Sequence, residues 1–217
     1  RPNAADSVVA MPSVQFLFLF APWALPHMAK QYAIRAGWII PVQPRGTVLE
    51  DAVIVLEGDR IAGIHPAADF PAERVDEHLP EQILLPGLVN AHTHLAMTLM
   101  RGIADDLPLM TWLQEHIWPL EGRIVNAEFC HDGALLGLAE SLRGGVTCVN
   151  DMYFHPQATV SALRQLGMRG QVGMILLDFP TPYAADGDEY FAKAQDLHDS
   201  LAGDQLIGTM FAPHAPY

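Results

Sequence analysis

Cysteine is nearly absent: Cys130 and Cys148 are the only two in 217 residues. Two thiols in a chain this long make no disulfide framework. Neither belongs to a CxxC pair, which sets aside a cysteine metal site and makes a reducing compartment the default. Basic residues are scarce too, 12 Lys and Arg against 25 Asp and Glu, for a formal charge of −13. Such a surface lacks the cationic track that follows nucleic-acid phosphates. No apolar run is long enough to cross a bilayer; Phe16–Ala21 is short and framed by prolines at 12, 22 and 26. A signal peptide would carry a basic leader, yet Arg1 is the only cation before that run and Asp6 opposes it. Residues 1–27 therefore read as an extension outside the fold. Internal repeats and low-complexity tracts are missing as well.

What remains is an ordinary globular composition, half hydrophobic with 17 Gly and 17 Pro. The length suits one domain with a sizeable core, or one domain plus a smaller one. Ala33–Ile40, Ala52–Glu57 and Arg60–Ile64 read as short strands, the last two joined by the hairpin signal Gly58-Asp59. Residues 66–80 read as a polar connection. Three small strands form no stable layer alone, so they need partners from elsewhere.

From Ile83 the rhythm changes. Ile83–Ala91 is an almost unbroken apolar run, the mark of a strand buried on both faces. After a long connection, Asn126 caps a helix whose stripe is Leu135, Leu138 and Leu142 and whose stop is Gly144-Gly145. Strands then alternate with helices: Val146–Val149, a helix over Pro156–Leu166, Gln171–Leu177, a helix over Glu189–Leu201, and Leu206–Phe211. Alternation of this kind implies parallel strands with right-handed crossovers, in an open sheet or a barrel. No Gly-rich phosphate loop follows the first strand, which counts against a nucleotide-binding open sheet.

The chemistry concentrates in Leu85-Pro-Gly-Leu-Val-Asn-Ala-His-Thr-His94. Residues two apart on a strand face the same way, so His92 and His94 project together from its carboxyl end. Two neutral imidazoles so placed suit zinc or another late first-row metal. On a buried apolar strand, two unpartnered imidazoles would be costly, which favours ligation over chance. Other residues have plainer readings. His155 is a loop histidine, and His116, His131 and His198 lie on predicted helices facing solvent. Asp151, near a strand end, supports the site or caps a helix.

The stretch from Leu85 to Arg123, PGLVNAHTHLAMTLMRGIADDLPLMTWLQEHIWPLEGR after its first residue, resembles the amidohydrolase superfamily. Within it the likeness is to the branch of 5′-methylthioadenosine/S-adenosylhomocysteine deaminases and triazine hydrolases. It continues through Asp151-Met-Tyr-Phe154 to Ala212-Pro-His-Ala-Pro-Tyr217 and spans residues 33–217. The resemblance implies an α/β fold, the N-terminal half of a (β/α)8 TIM-type barrel over 85–217 preceded by part of a small β-sandwich over 28–84. It implies His92 and His94 as metal ligands, with Glu121 binding ribose hydroxyls and His214 contacting substrate. It also implies one zinc or other divalent transition metal per full-length subunit and a small-molecule substrate. The charge, run lengths and cysteine count point to a cytoplasmic location with no membrane or nucleic-acid partner, and homo-oligomers stay open.

In the family a third metal histidine and a proton-shuttling glutamate follow on a later strand, beyond Tyr217. No catalytic residue is thus expected within this chain, and alone it is expected to be inactive. An arginine of some nucleoside deaminases also has no match in Gln171–Ile175. Deamination of an aminated purine nucleoside is the expected reaction of the whole enzyme. The alternatives are a deaminase or dechlorinase of s-triazines or other amino-heterocycles, and a non-catalytic metal-binding fragment.

Overall fold

The computed structural model describes residues 31–214. The chain divides into two compact units between Pro86 and Gly87. The extension proposed for residues 1–27 lies outside the described residues.

The first unit is a four-stranded sheet of β1 (Gln31–Ile39), β2 (Leu49–Glu57), β3 (Arg60–Pro66) and β4 (Glu77–Leu84), in the order β3-β2-β1-β4. β1 and β3 flank β2 antiparallel, and β4 joins β1 in parallel. Alternation sorts the apolar side chains onto two faces. Ile34, Ala36, Ala52 and Ile54 pack on one side with Leu84. Ala33, Val53 and Val55 pack on the other, under Phe70 and Val75 from the connection after β3.

β4 corrects the reading of residues 66–80 as connection throughout. Its pattern is obscured by Glu77, Glu81 and a proline in its middle, which an edge strand tolerates because the outward N–H is not needed. Pro80 presses on β1: a Cβ at Gly37 would sit 2.1 Å from the Pro80 carbonyl oxygen, and the register slips between Ala36 and Trp38. Glycine is required there by contact.

The second unit is built on β5 (Leu88–Thr93), β6 (Val146–Met152), β7 (Arg169–Leu176) and β8 (Ile207–Pro213), all parallel and in sequential order. The run expected to be one strand over Ile83–Ala91 is two strands, separated by Leu85-Pro86-Gly87. Pro86 has no N–H to give to either ladder. β5 is also not buried on both faces: Leu88 and Val89 are 56% and 66% exposed, because β5 is an edge strand of this sheet.

After β5 the chain makes a 3-10 turn, Leu95–Met100, and then α1 (Leu109–Thr111), which passes through the π-helical turn Trp112–Ile117 into α2 (Trp118–Ile124). α3 (Ala127–Arg143) starts where the Asn126 side chain accepts the Phe129 N–H at 2.9 Å. α4 (Pro156–Leu166) and α5 (Gly187–Ser200) complete the alternation, α5 capped by Asp186. Leu138, Val149, Leu163, Val172 and Leu197 form the core between sheet and helices.

α3 approaches the 3-10 turn very closely. A Cβ at Gly133 would lie 2.5 Å from the Ala96 carbonyl oxygen and 2.9 Å from its Cα. These are backbone atoms of the segment directly after His94, so they cannot swing aside. Gly133→Ala is therefore expected to destabilise the fold by about 1–3 kcal/mol despite alanine's better helix propensity. Urea unfolding midpoints of the two proteins check this; an unchanged or raised midpoint would mean that the turn yields freely.

Candidate active site

The carboxyl ends of β5 to β8 meet at a cavity of about 580 Å³ whose walls include His94, Glu121, Tyr153 and His214. Clefts beyond the carboxyl ends of parallel strands are where α/β folds bind ligands. Each side chain arrives there for a local reason.

His92 is the penultimate residue of β5 and His94 comes directly after the strand, their ring centroids 5.0 Å apart and nearly perpendicular. The β5–β6 register breaks between Asn90 and Thr93, and side chains replace the ladder there. Asn150 donates to the Ala91 carbonyl at 3.0 Å, and the His92 N–H reaches the Asn90 carboxamide oxygen at 3.3 Å. The His94 Nδ1 is hydrogen-bonded to the Met152 carbonyl. A carbonyl only accepts, so Nδ1 carries a proton, and in the neutral tautomer Nε2 is the nitrogen with the lone pair. A carbonyl partner of this kind is the usual second support of a metal-binding histidine. His94 lines the cavity; His92 is exposed beside it and does not.

Asp151, at the end of β6, is 1% exposed. It accepts the Leu95 N–H at 2.7 Å and the Thr159 hydroxyl of α4 at 3.0 Å. It thereby fixes the first residue after His94, the supporting role read from sequence as one of two options. It does not cap α4, whose N-cap is His155 in a left-handed conformation. Burial raises its pKa, opposed by those two hydrogen bonds and by His94 and His92.

Glu121 sits on α2, a buried carboxylic acid whose pKa burial raises and the Tyr153 hydrogen bond lowers. The Tyr153 hydroxyl donates to its Oε1 at 2.6 Å. Burial and the Glu121 carboxyl together raise the pKa of the phenol, so it stays a donor. His214 follows β8, its N–H bound to the Leu176 carbonyl at 3.2 Å and its ring 6.2 Å from that of His94. Partial burial, then the neighbouring His94 and His92, lower its pKa, which keeps it neutral at pH 7.

The cavity's remaining wall is apolar, with Trp112, Leu113 and Trp118 from the helical turns after β5 and Phe179 and Pro182 from the loop after β7. That loop is knotted at Thr181, whose hydroxyl receives the Tyr183 and Ala184 N–H groups and meets the Tyr190 hydroxyl at 2.5 Å. His155, read from sequence as an exposed loop residue, is half-buried against Tyr183, with centroids 5.2 Å apart.

The donor chemistry of His92 and His94 fits a late first-row divalent ion, since both are imidazoles and one has a fixed tautomer with Nε2 free. Zinc sites take three or more protein ligands. Among the described residues no group of three His, Cys, Asp or Glu side chains is arranged to hold an ion.

Residues 83–217 match the Amidohydrolase family. The chain belongs to that family. A 5-methylthioadenosine/S-adenosylhomocysteine deaminase of Saccharophagus degradans is 46% identical to it over 187 residues, covering 85% of this chain and 42% of the relative. The corresponding protein of Thermodesulfovibrio yellowstonii is 40% identical over 195 residues, covering 88% and 44%. A crystal structure of an adenosine deaminase from Xanthomonas campestris with bound zinc superposes with a TM-score of 0.78 at 47% identity, covering 86% of this chain and 43% of that one. An atrazine chlorohydrolase structure from Arthrobacter aurescens, 24% identical with a TM-score of 0.73 over 86% of this chain and 47% of its own, shares the fold. This amidohydrolase chain thus spans less than half the length of the relatives it matches.

Sequence reading passed over Tyr153. It sits in the quoted Asp151–Phe154 motif, but only the fold shows that a strand-end tyrosine meets an acid 32 positions earlier. Trp112 and Trp118 were equally unannounced, since a π-helical turn leaves no simple periodicity.

The raised pKa of Glu121 has a sign that can be tested. A carboxyl whose folded-state pKa lies above its unfolded value stabilises the fold fully below the unfolded pKa. That contribution is lost as pH rises through the folded value. Glu121→Gln removes the dependence, so the variant's melting temperature should gain on the parent as pH rises above the ordinary glutamate value of about 4. A gap that stays flat or narrows over that range would contradict the burial argument.

Proposed function

We propose that this chain supplies the N-terminal half of a (β/α)8 barrel and part of a β-sandwich in a cytoplasmic, metal-dependent aminohydrolase. Its substrate is an aminated purine nucleoside of the 5′-methylthioadenosine or S-adenosylhomocysteine type. Water replaces the ring amino group and ammonia leaves. The observation that carries this reading is the convergence, in one cavity, of His94 with its Nδ1 tied to the Met152 carbonyl, of His214 and of the buried Glu121 carboxyl. The named relatives at 37–46% identity support it.

In this reading His92 and His94 hold zinc or another divalent transition metal, one per full-length subunit. The chemistry such an ion supplies is Lewis-acid activation of water. The other residues bind and orient. Glu121 accepts hydrogen bonds from the ribose hydroxyls, and His214 presents a neutral imidazole to the base. Trp112, Leu113 and Trp118 pack the apolar parts of the nucleoside and exclude bulk water, which strengthens each polar contact inside.

Two measurements on an enzyme with the full length of its relatives test the assignment. Replacing both His92 and His94 by alanine should abolish metal retention after dialysis, read by metal analysis; unchanged stoichiometry would refute the ligand pair. Glu121→Gln should cost nucleoside turnover about 1.5–3 kcal/mol more in kcat/KM than turnover of a free amino-heterocycle lacking ribose. Equal losses on both would make Glu121 structural and favour a triazine-type substrate.

A further inference from the structure

We propose that Tyr153 is a positioning residue that aims the Glu121 carboxyl at the vicinal hydroxyls of the substrate's sugar, and so sets the preference for ribonucleosides. This rests on the reading of Glu121 as the sugar-binding acid given above.

The geometry is specific. The phenol hydroxyl donates to Oε1 at 2.6 Å, the length of a hydroxyl bond to a carboxylate, while Oε2 has no hydrogen-bond partner among the described residues. Both side chains line the same cavity. A glutamate side chain has three rotatable bonds; tying one oxygen fixes the plane of the carboxyl and leaves the second oxygen to face the ligand. Tyr153 can do this because it is itself held. It is 6% exposed, with the Phe154 ring 5.2 Å away and the His94 ring 6.3 Å away.

Its place in the chain adds to this. The residue before it, Met152, accepts from the His94 imidazole. Two consecutive residues at the end of β6 therefore orient two polar groups of the cavity, the backbone of one holding the histidine and the side chain of the next holding the acid. Such a span keeps the sugar-binding carboxyl at a fixed distance from the reacting ring, the condition for productive orientation.

The test uses the full-length enzyme with 5′-methylthioadenosine and its 2′,3′-dideoxy analogue. Tyr153→Phe should lower kcat/KM on the ribonucleoside about tenfold more than on the dideoxy compound, mainly through KM. A loss of packing alone would reduce both alike. In a Glu121→Gln background, Tyr153→Phe should add no further discrimination. Selective loss in Glu121→Gln with none in Tyr153→Phe would overturn the role of Tyr153 and leave the reading of Glu121 standing. Equal loss on both substrates in Glu121→Gln would overturn that reading, and the proposal with it. Should the phenylalanine variant fail to fold, a ring-fluorinated tyrosine at position 153 keeps the packing and strengthens the donor. The ratio of the two KM values should then shift, and an unchanged ratio would overturn the proposal.

Discussion

The hydrogen bond from the Leu95 N–H to the Asp151 carboxylate, 2.7 Å long and buried, fixes where β5 stops and the 3-10 turn begins. The polar groups at the ends of β5 and β6 are placed from that point. His94 precedes Leu95 and turns back to the Met152 carbonyl, one residue from Asp151. The Thr159 hydroxyl ties the same carboxylate to α4, so a helix, a strand end and a turn share one anchor. Burying a carboxylate is costly unless its oxygens are matched, and here each oxygen has a donor. On the other side Gly133 and Gly137 let α3 lie directly against the turn, which leaves the anchored segment no room to relax.

The second unit was legible because its signals are local. Asn126 before α3, Pro156 at the start of α4 and Gly144 after α3 are caps and stops that act within one turn. The parallel order of β5 to β8 follows from strand–helix alternation. The break at Pro86 was not legible, since Ile83–Ala91 reads as continuous hydrophobicity and only the assignment of Leu84 and Leu88 to different sheets reveals two strands. β4 was hidden because an edge strand carrying Glu77, Pro80 and Glu81 has the composition of a loop.

For the site, the histidine pair was visible in the HxH spacing, because strand geometry is a period of two. Glu121 and His214 were named through a family likeness. Without it, a glutamate on a short helix reads as a solvated charge, whereas the fold buries it beside Tyr153. Asp151 and Tyr153 depend on contacts 56 and 32 positions apart, and no periodicity encodes such separations. The same contacts put the fold under electrostatic tension, since two acids and a tyrosine share a region where burial opposes ionisation. Cys130 registers it as well, its thiol pushed up to about 12 by burial and by Asp151 and Glu121. Sites that hold such groups tend to trade stability for function.

The Thr181 knot separates two kinds of residue in the loop after β7. Thr181 is joined to Tyr183 and to Tyr190 of α5 and shapes the loop, while Phe179 and Pro182 are exposed and only line the cavity. Replacing the second set leaves the loop's internal hydrogen bonds intact. The wall can therefore be re-cut for a differently shaped ligand in single steps, with neither the imidazoles nor the scaffold disturbed.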